Sequence, residues 1–191
     1  MKRSLGARTY LFPTPVLLVG TYDQEGKPNL MTAAWGGICC SDPPCINVSL
    51  RKATYSHAAI VERKAFTIGI PSESQVREAD FIGLSSGRRV EKFAATGFTA
   101  GQSQLVDAPY AEEIPFLLEC ELVHSVELGL HTLFVGKIID VKADENILAE
   151  DGQPDIFKLK PLSWEPVHRH YISTGTSLGL AFSVGKTIRE K

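Results

Sequence analysis

The chain has no C-x-x-C pair, no G-x-S-x-G elbow, no H-E-x-x-H and no complete G-x-x-x-x-G-K-[ST] loop. Each absence removes a class of chemistry. Without the elbow there is no α/β-hydrolase nucleophile, and without the paired histidines there is no zincin centre. Gly185-Lys186-Thr187 ends like a phosphate loop, but Leu180 stands where its first glycine is needed. An excess of either charge is also missing. Twenty Lys and Arg against 22 Asp and Glu leave a formal net charge of −2, which offers nothing to nucleic acid or to an anionic membrane. No apolar run reaches the length of a transmembrane helix. The basic N-terminus is followed by apolar residues, but Pro13 and Pro15 interrupt them, and the piece from Pro15 to Gly20 is too short for the apolar region of a signal peptide. Cysteine is scarce. Cys39, Cys40, Cys45 and Cys120 form no disulfide framework, because the neighbours Cys39 and Cys40 bridge only with strain. Reduced thiols in a cytoplasmic protein are the expectation. His168-Arg169-His170 puts two imidazoles on one face of an extended segment, with Glu165 as the near carboxylate. Solvated or dimer-contact histidines are the reading there, and no metal is expected.

What is present is ordinary for a globular protein: 43% hydrophobic and 22% charged residues. A chain of 191 residues fits one domain, 1–191 with a core of about 13–186, and can bury a core without staples. Short β-rich runs bounded by turn formers dominate. Strands are expected over Leu17–Tyr22, Asn29–Trp35, Cys45–Leu50 and Ala65–Ile70, with a hairpin turn at Asp23–Pro28. Gly36-Gly37 then releases the chain, and Asp42-Pro43-Pro44 blocks helix. Helices are expected over Thr54–Arg63 with Thr54 as N-cap, over Ser74–Leu84 opened by a serine cap, and over Val90–Ala95 ended by Gly97. Phe116–Val126 and Thr132–Val141 are long β-prone runs. Their continuous apolar residues, as in Leu133-Phe134-Val135, suggest strands buried on both sides or lining a dimer interface. Leu180–Ile188 is expected to form a last strand. Many short strands with interspersed helices predict a closed or partly closed antiparallel β-barrel.

Within this pattern the stretch Asn29–Arg51 stands out. Asn29 and Thr32 offer hydrogen-bonding side chains, and Ala33-Ala34 expose backbone to a flat ligand. Ser49, Arg51, Thr54 and Ser56 gather hydroxyls and a guanidinium at the start of the Thr54 helix, and a helix N-terminus with charged donors is suited to a phosphate. Two ordinary strands with a capped helix account for the same residues.

The order N-x-M-T-A-A-W, P-P-x-I-x-V-S-L-R and T-x-x-x-I resembles the flavin reductase-like, FMN-binding split-barrel family, and within it the flavoredoxins. So do Leu118-Glu119-Cys120-Glu121, Gly129–Gly136 and the tail from Tyr171 to Lys186. The likeness runs from about Pro13 to Lys186. It implies a mainly β protein with helices, an antiparallel, Greek-key-like FMN-binding split β-barrel. It implies that Asn29, Met31, Thr32, Ala33, Ala34 and Trp35 line the isoalloxazine and ribityl. Ser49, Leu50 and Arg51, with Thr54, Tyr55 and Ser56, then hold the ribityl and phosphate, and Lys92 meets the phosphate. His131 matches a histidine beside the flavin where a nicotinamide docks. The family often has Asp before that histidine, whereas Leu130 stands here, which removes a carboxylate that could orient the imidazole. The resemblance further implies a homodimer that takes electrons from NADH or NADPH and passes them to flavin, ferric complexes or a protein acceptor. A flavoredoxin-type carrier reduced by a redox protein is the alternative.

Overall fold

In a computed structural model that describes residues 1–186 and 188, seven antiparallel strands make one large sheet. A two-residue strand, β1 (Thr14–Pro15), leads into β2 (Leu17–Tyr22), β3 (Pro28–Ala33), β4 (Gly36–Ser41) and β5 (Pro44–Arg51). Helix α1 (Tyr55–Arg63) and β6 (Ala65–Ile70) follow, then α2 (Val76–Leu84) and α3 (Lys92–Thr96). The short hairpin β7 (Ala100–Gln102) and β8 (Pro109–Ala111) precedes the long β9 (Phe116–Leu128) and β10 (His131–Ala143). Helix α4 (Ile156–Leu159), β11 (Ser163–Glu165) and β12 (His170–Ile172) complete the order.

The sheet runs β3-β2-β6-β9-β10-β5-β4, and β1, β11 and β12 form a small separate sheet. Where the chain leaves β3, the Ser49 backbone N–H of β5 donates to the Trp35 carbonyl at 2.8 Å. The two ends of the sheet therefore meet through residues 34–35, and the sheet curls into the expected split antiparallel barrel.

Local chemistry accounts for the turns. Asp23 Oδ1 accepts the backbone N–H groups of Glu25 and Lys27, at 2.9 and 2.8 Å, which closes the β2–β3 hairpin. Gly97 ends α3 with φ at 73°, a conformation an L side chain resists. Alternation then divides the core. Leu17 and Val19 of β2 join Ile46, Val48, Leu50, Phe66 and Phe134 inside the barrel. Val16, Leu18 and Leu30 pack on Ala79 and Ile82 of α2 and Phe93 of α3 on the other face. Strand β2 is thus buried on both sides, which explains its unbroken apolar run.

Several expectations need correction. Gly36-Gly37 does not release the chain: β4 begins there and pairs with β5 as an edge strand. The second helix is preceded by a single 3₁₀ turn, Glu73–Gln75, whose capping box is Ser72 with Gln75. Double burial does not extend along the late strands. Phe134 is sealed, but β9 is exposed beyond Cys120 apart from a half-buried Leu122, with Val123, Val126 and Leu128 facing outward. The strand expected over Leu180–Ile188 does not form across 180–186. Turns occupy it instead, with the N–H groups of Ser183 and Val184 on the Leu180 carbonyl. Among the described residues that segment pairs with no strand; Thr187, within the same expectation, lies outside the described residues.

Candidate functional site

Strand β3, the loop after β5 and the segment after α2 converge on a cavity of about 260 Å³. Asn29 and Met31 reach it from one face of β3, and Thr54, Tyr55 and Ser56 bring the start of α1. Ser85, Ser86 and Gly87 close the far side, and Lys92 lies at the base.

Several of the polar groups here are held by named bonds. Asn29 is buried and donates through Nδ2 to Ser56 Oγ at 3.0 Å, which joins β3 to the first turn of α1. Thr54 stands at the N-cap, but its hydroxyl donates to the Arg51 carbonyl at 2.8 Å and makes no cap bond. Opening N–H groups of α1 thus lack a capping side chain and remain free for an acceptor. Tyr55 donates to Asp23 Oδ2 at 2.5 Å. That bond, then burial, pushes its phenol up to about 12. The Arg88 guanidinium lies 5.8 Å from the Tyr55 ring centre.

Lys92 is a buried cation. Its Nζ donates to the carbonyls of Leu30 and Ile82, both at 2.8 Å, and burial pulls its pKa down to about 8. An ammonium has three donors, so one is left for an acceptor in the cavity that Lys92 lines.

Strand parity separates the residues expected along the ring. Asn29 and Met31 face the first cavity, whereas Thr32 lies on the opposite face and donates to the Ala79 carbonyl at 2.5 Å. Thr32, Ala33 and Ala34 line a second hollow of about 290 Å³ with Asp80, Trp164, Arg169 and Tyr171. Ala34 also borders a third, of about 400 Å³, with Trp35, Asn47, Ser49 and the N-terminal residues Tyr10 and Leu11. Gly83 and Leu84 are shared by the first two hollows and Ala34 by the last two, so the three form one broken groove along β3.

The residues on β5 divide in the same way. Ser49 faces the third hollow, but Leu50 is 1% exposed and points into the barrel core, so its side chain cannot touch a ligand in the groove. Arg51 is exposed at the strand end, directly opposite His131 of β10. The His131 ring lies 4.8 Å from the Trp35 ring, centre to centre.

Reading the chain alone missed the contribution of Ser85-Ser86-Gly87. Its signal is Gly87, where an added Cβ would strike the Asn29 amide and come within 2.6 Å of the Tyr55 ring. His57 was also missed. Its Nε2 lies 2.8 Å from Thr132 Oγ1, and burial, with the Lys52 charge second, lowers its pKa. His168 and His170 stand 6.4 Å apart between ring centres, and the backbone N–H of His168 donates to Glu165 at 2.9 Å. Among the described residues no helix is long and apolar enough to cross a membrane.

A flavin reductase-like domain model matches residues 8–172. The flavoredoxin of Desulfovibrio vulgaris (Miyazaki F) is 54% identical, with a TM-score of 0.93 over 97% of this chain and 100% of that one. The flavoredoxin of Methanosarcina acetivorans is 31% identical, also at 0.93, over 98% and 99%. A high molecular weight rubredoxin of Moorella thermoacetica is 26% identical over 76% of this chain and 58% of its own length.

Proposed function

Because the chain belongs to the flavin reductase-like domain family, we propose that it is an FMN-binding oxidoreductase that passes electrons from NADH or NADPH to flavin, ferric complexes or a protein acceptor. The observation that carries this reading is the groove itself. A buried ammonium with a spare donor, the uncapped start of α1 and the small residues Ala33 and Ala34 at the end of β3 lie in sequence beside it. Those residues fit FMN. When bound, FMN supplies the redox chemistry, so no acid–base pair of side chains is needed.

The chain's own groups bind and orient. The N–H groups opening α1, the Ser56 hydroxyl, which accepts from Asn29 and keeps its own proton, and the exposed Arg51 guanidinium offer donors to a phosphate. Lys92 gives a charged donor to an oxygen in the first cavity, and Asn29 is held there by Ser56. Ala33 and Ala34 leave backbone open to the edge of a ring system, and Thr32 fixes β3 to α2 from behind. His131, tilted against the Trp35 ring, lines the approach for a nicotinamide. The exposed apolar face of β9–β10, with Val123, Val126, Leu128 and Leu130, is the surface we assign to a second copy in a homodimer. The whole chain acts as one flavin-binding domain, in the cytoplasm.

A carrier without turnover of its own is the second reading, favoured by the 54% identity to a flavoredoxin. Its reductant would be a redox protein. Two measurements separate the possibilities. Purified chain, dialysed extensively, is expected to keep one FMN per subunit with an absorbance band in the blue. Colourless chain that ignores added FMN overturns both readings. Anaerobic mixing with NADH or NADPH is then expected to bleach the band rapidly. A band that stays until a ferredoxin-type donor is added rejects the reductase and supports the carrier.

A further inference from the structure

Three of the four thiols share one edge hairpin and take no part in the flavin site. Cys39 and Cys40 are exposed on β4, and Cys45 is buried on β5. The hairpin turns at Asp42-Pro43, with Ser41 opposite Pro44 and Cys40 opposite Cys45. Residues directly opposite in an antiparallel ladder project to the same face, with Cα atoms about 4.5–5.5 Å apart. A disulfide spans about 4.4–6.8 Å between Cα atoms, so the register puts this pair within the reach of a bond. The other pairings are disfavoured. A register shift between Ile38 and Cys40 takes Cys39 out of the pairing, and a bond to its neighbour Cys40 would be strained. Cys120 is sealed in the core, where burial pushes its thiol up to about 12.

We propose that Cys40 and Cys45 form a redox-active dithiol that a small-molecule disulfide oxidises to a cross-strand disulfide. Cys40 is the first to react. Its Sγ now donates to the Asp42 carbonyl at 3.3 Å, on the exposed side of the hairpin. As a thiolate it attacks one sulfur of the small disulfide. An S–S bond forms to Cys40, the original S–S bond breaks, and one thiolate leaves. Cys45 then loses its proton to solvent and attacks the Cys40 sulfur, expelling the second thiolate. The chain loses two electrons and two protons, and the small disulfide becomes two thiols. The order suits the two sites. Burial pushes the Cys45 thiol up, with the Lys137 ammonium opposing, so Cys45 is slow to meet an outside oxidant but adjacent to the mixed disulfide. Once formed, the bond ties the edge strand β4 to β5. These two strands also carry Gly36, next to Trp35, and Ser49 at the border of the groove.

Incubation of the reduced, flavin-loaded chain with glutathione disulfide tests this. The intact mass is expected to fall by two hydrogen atoms, and alkylation after denaturation is expected to label two thiols where the reduced chain shows four. A digest is expected to link the Cys40 and Cys45 peptides, and dithiothreitol to undo the link. With Cys45→Ser the product changes to a stable glutathione adduct on Cys40. Should that buried substitution prevent folding, the exposed Cys40→Ser variant decides, because it removes the Cys45 link while leaving Cys45 alkylatable. Four alkylatable thiols after treatment, an unresolved glutathione adduct on the unsubstituted chain, or a link through Cys39 overturns the proposal.

Discussion

The ring of Trp35 lies beside the ring of His131, with centres 4.8 Å apart and planes inclined by 33°. Register explains the contact. His131 opposes Arg51 across β10–β5, and the Trp35 carbonyl accepts from Ser49 on the same strand β5. Trp35 is 40% exposed, so an incoming planar group can reach both rings. His131→Ala is expected to slow NADH- or NADPH-dependent bleaching of the flavin by about tenfold, with bound FMN per subunit unchanged. Stopped-flow absorbance and a flavin count read the two quantities separately. Loss of flavin in this variant would move His131 into the cofactor contacts.

Arg51 stands in a useful place. It ends β5, its carbonyl takes both the N–H and the hydroxyl of Thr54, and its side chain is exposed beside the start of α1. A charged hydrogen bond to a phosphate contributes about 1.5–3 kcal/mol. Arg51→Ala is therefore expected to weaken FMN binding by roughly tenfold to more than a hundredfold. Riboflavin, which lacks the phosphate, should bind both proteins alike. Fluorescence titration checks it; an unchanged FMN dissociation constant would place the phosphate elsewhere.

Much of this arrangement is legible in the chain because it is local. Leu17–Tyr22 and Ala65–Ile70 are β-prone runs bounded by Pro15, Asp23 and Pro71, and both fold as strands. Strand β4 is different. Two glycines, two cysteines and mostly exposed positions carry no β signal, and only pairing with β5 holds it extended. The tail from Leu180 has the opposite problem: Leu180, Phe182 and Val184 look β-prone in the chain, but the described residues 180–186 form turns. Within the site, alternation already separates Asn29 and Met31 from Thr32, and Leu50 from Ser49 and Arg51. Taking each stretch as one lining surface passed over that period. The environment of Lys92 was not legible at all. It depends on the last turn of α2 meeting β3, a contact between residues far apart in the chain.

Gly87 lies against both Asn29 and Tyr55, and a Cβ there would overlap the Asn29 amide. Neither neighbour is free to move, because Asn29 is bonded to Ser56 and Tyr55 to Asp23. Gly87→Ala is expected to cost about 1–3 kcal/mol of stability through overpacking. It should also weaken FMN binding, because the loop must shift away from the cavity. Urea unfolding and flavin titration measure the two effects. A variant with unchanged stability and affinity would show that residues 85–87 yield without cost.

Lys92 gives the site a pH dependence whose sign can be worked out. Its pKa is lowered from 10.5 to about 8 by burial. Between those values the unfolded chain holds the proton and the folded, flavin-free chain does not, so stability rises as pH increases through this window. Below about pH 8 both states are protonated, and the folded chain bears the full cost of burying the charge. Other groups titrate in the same range, so the comparison must be with Lys92→Met, in which they cancel. The stability of the natural chain relative to that variant is expected to increase from pH 8 to pH 10. Urea midpoints at each pH give the difference. Bound FMN should flatten the slope, since an oxygen accepting the third donor of Lys92 favours the ammonium. A difference that stays constant across the window without flavin would mean that the ammonium is better solvated than its two carbonyl partners indicate.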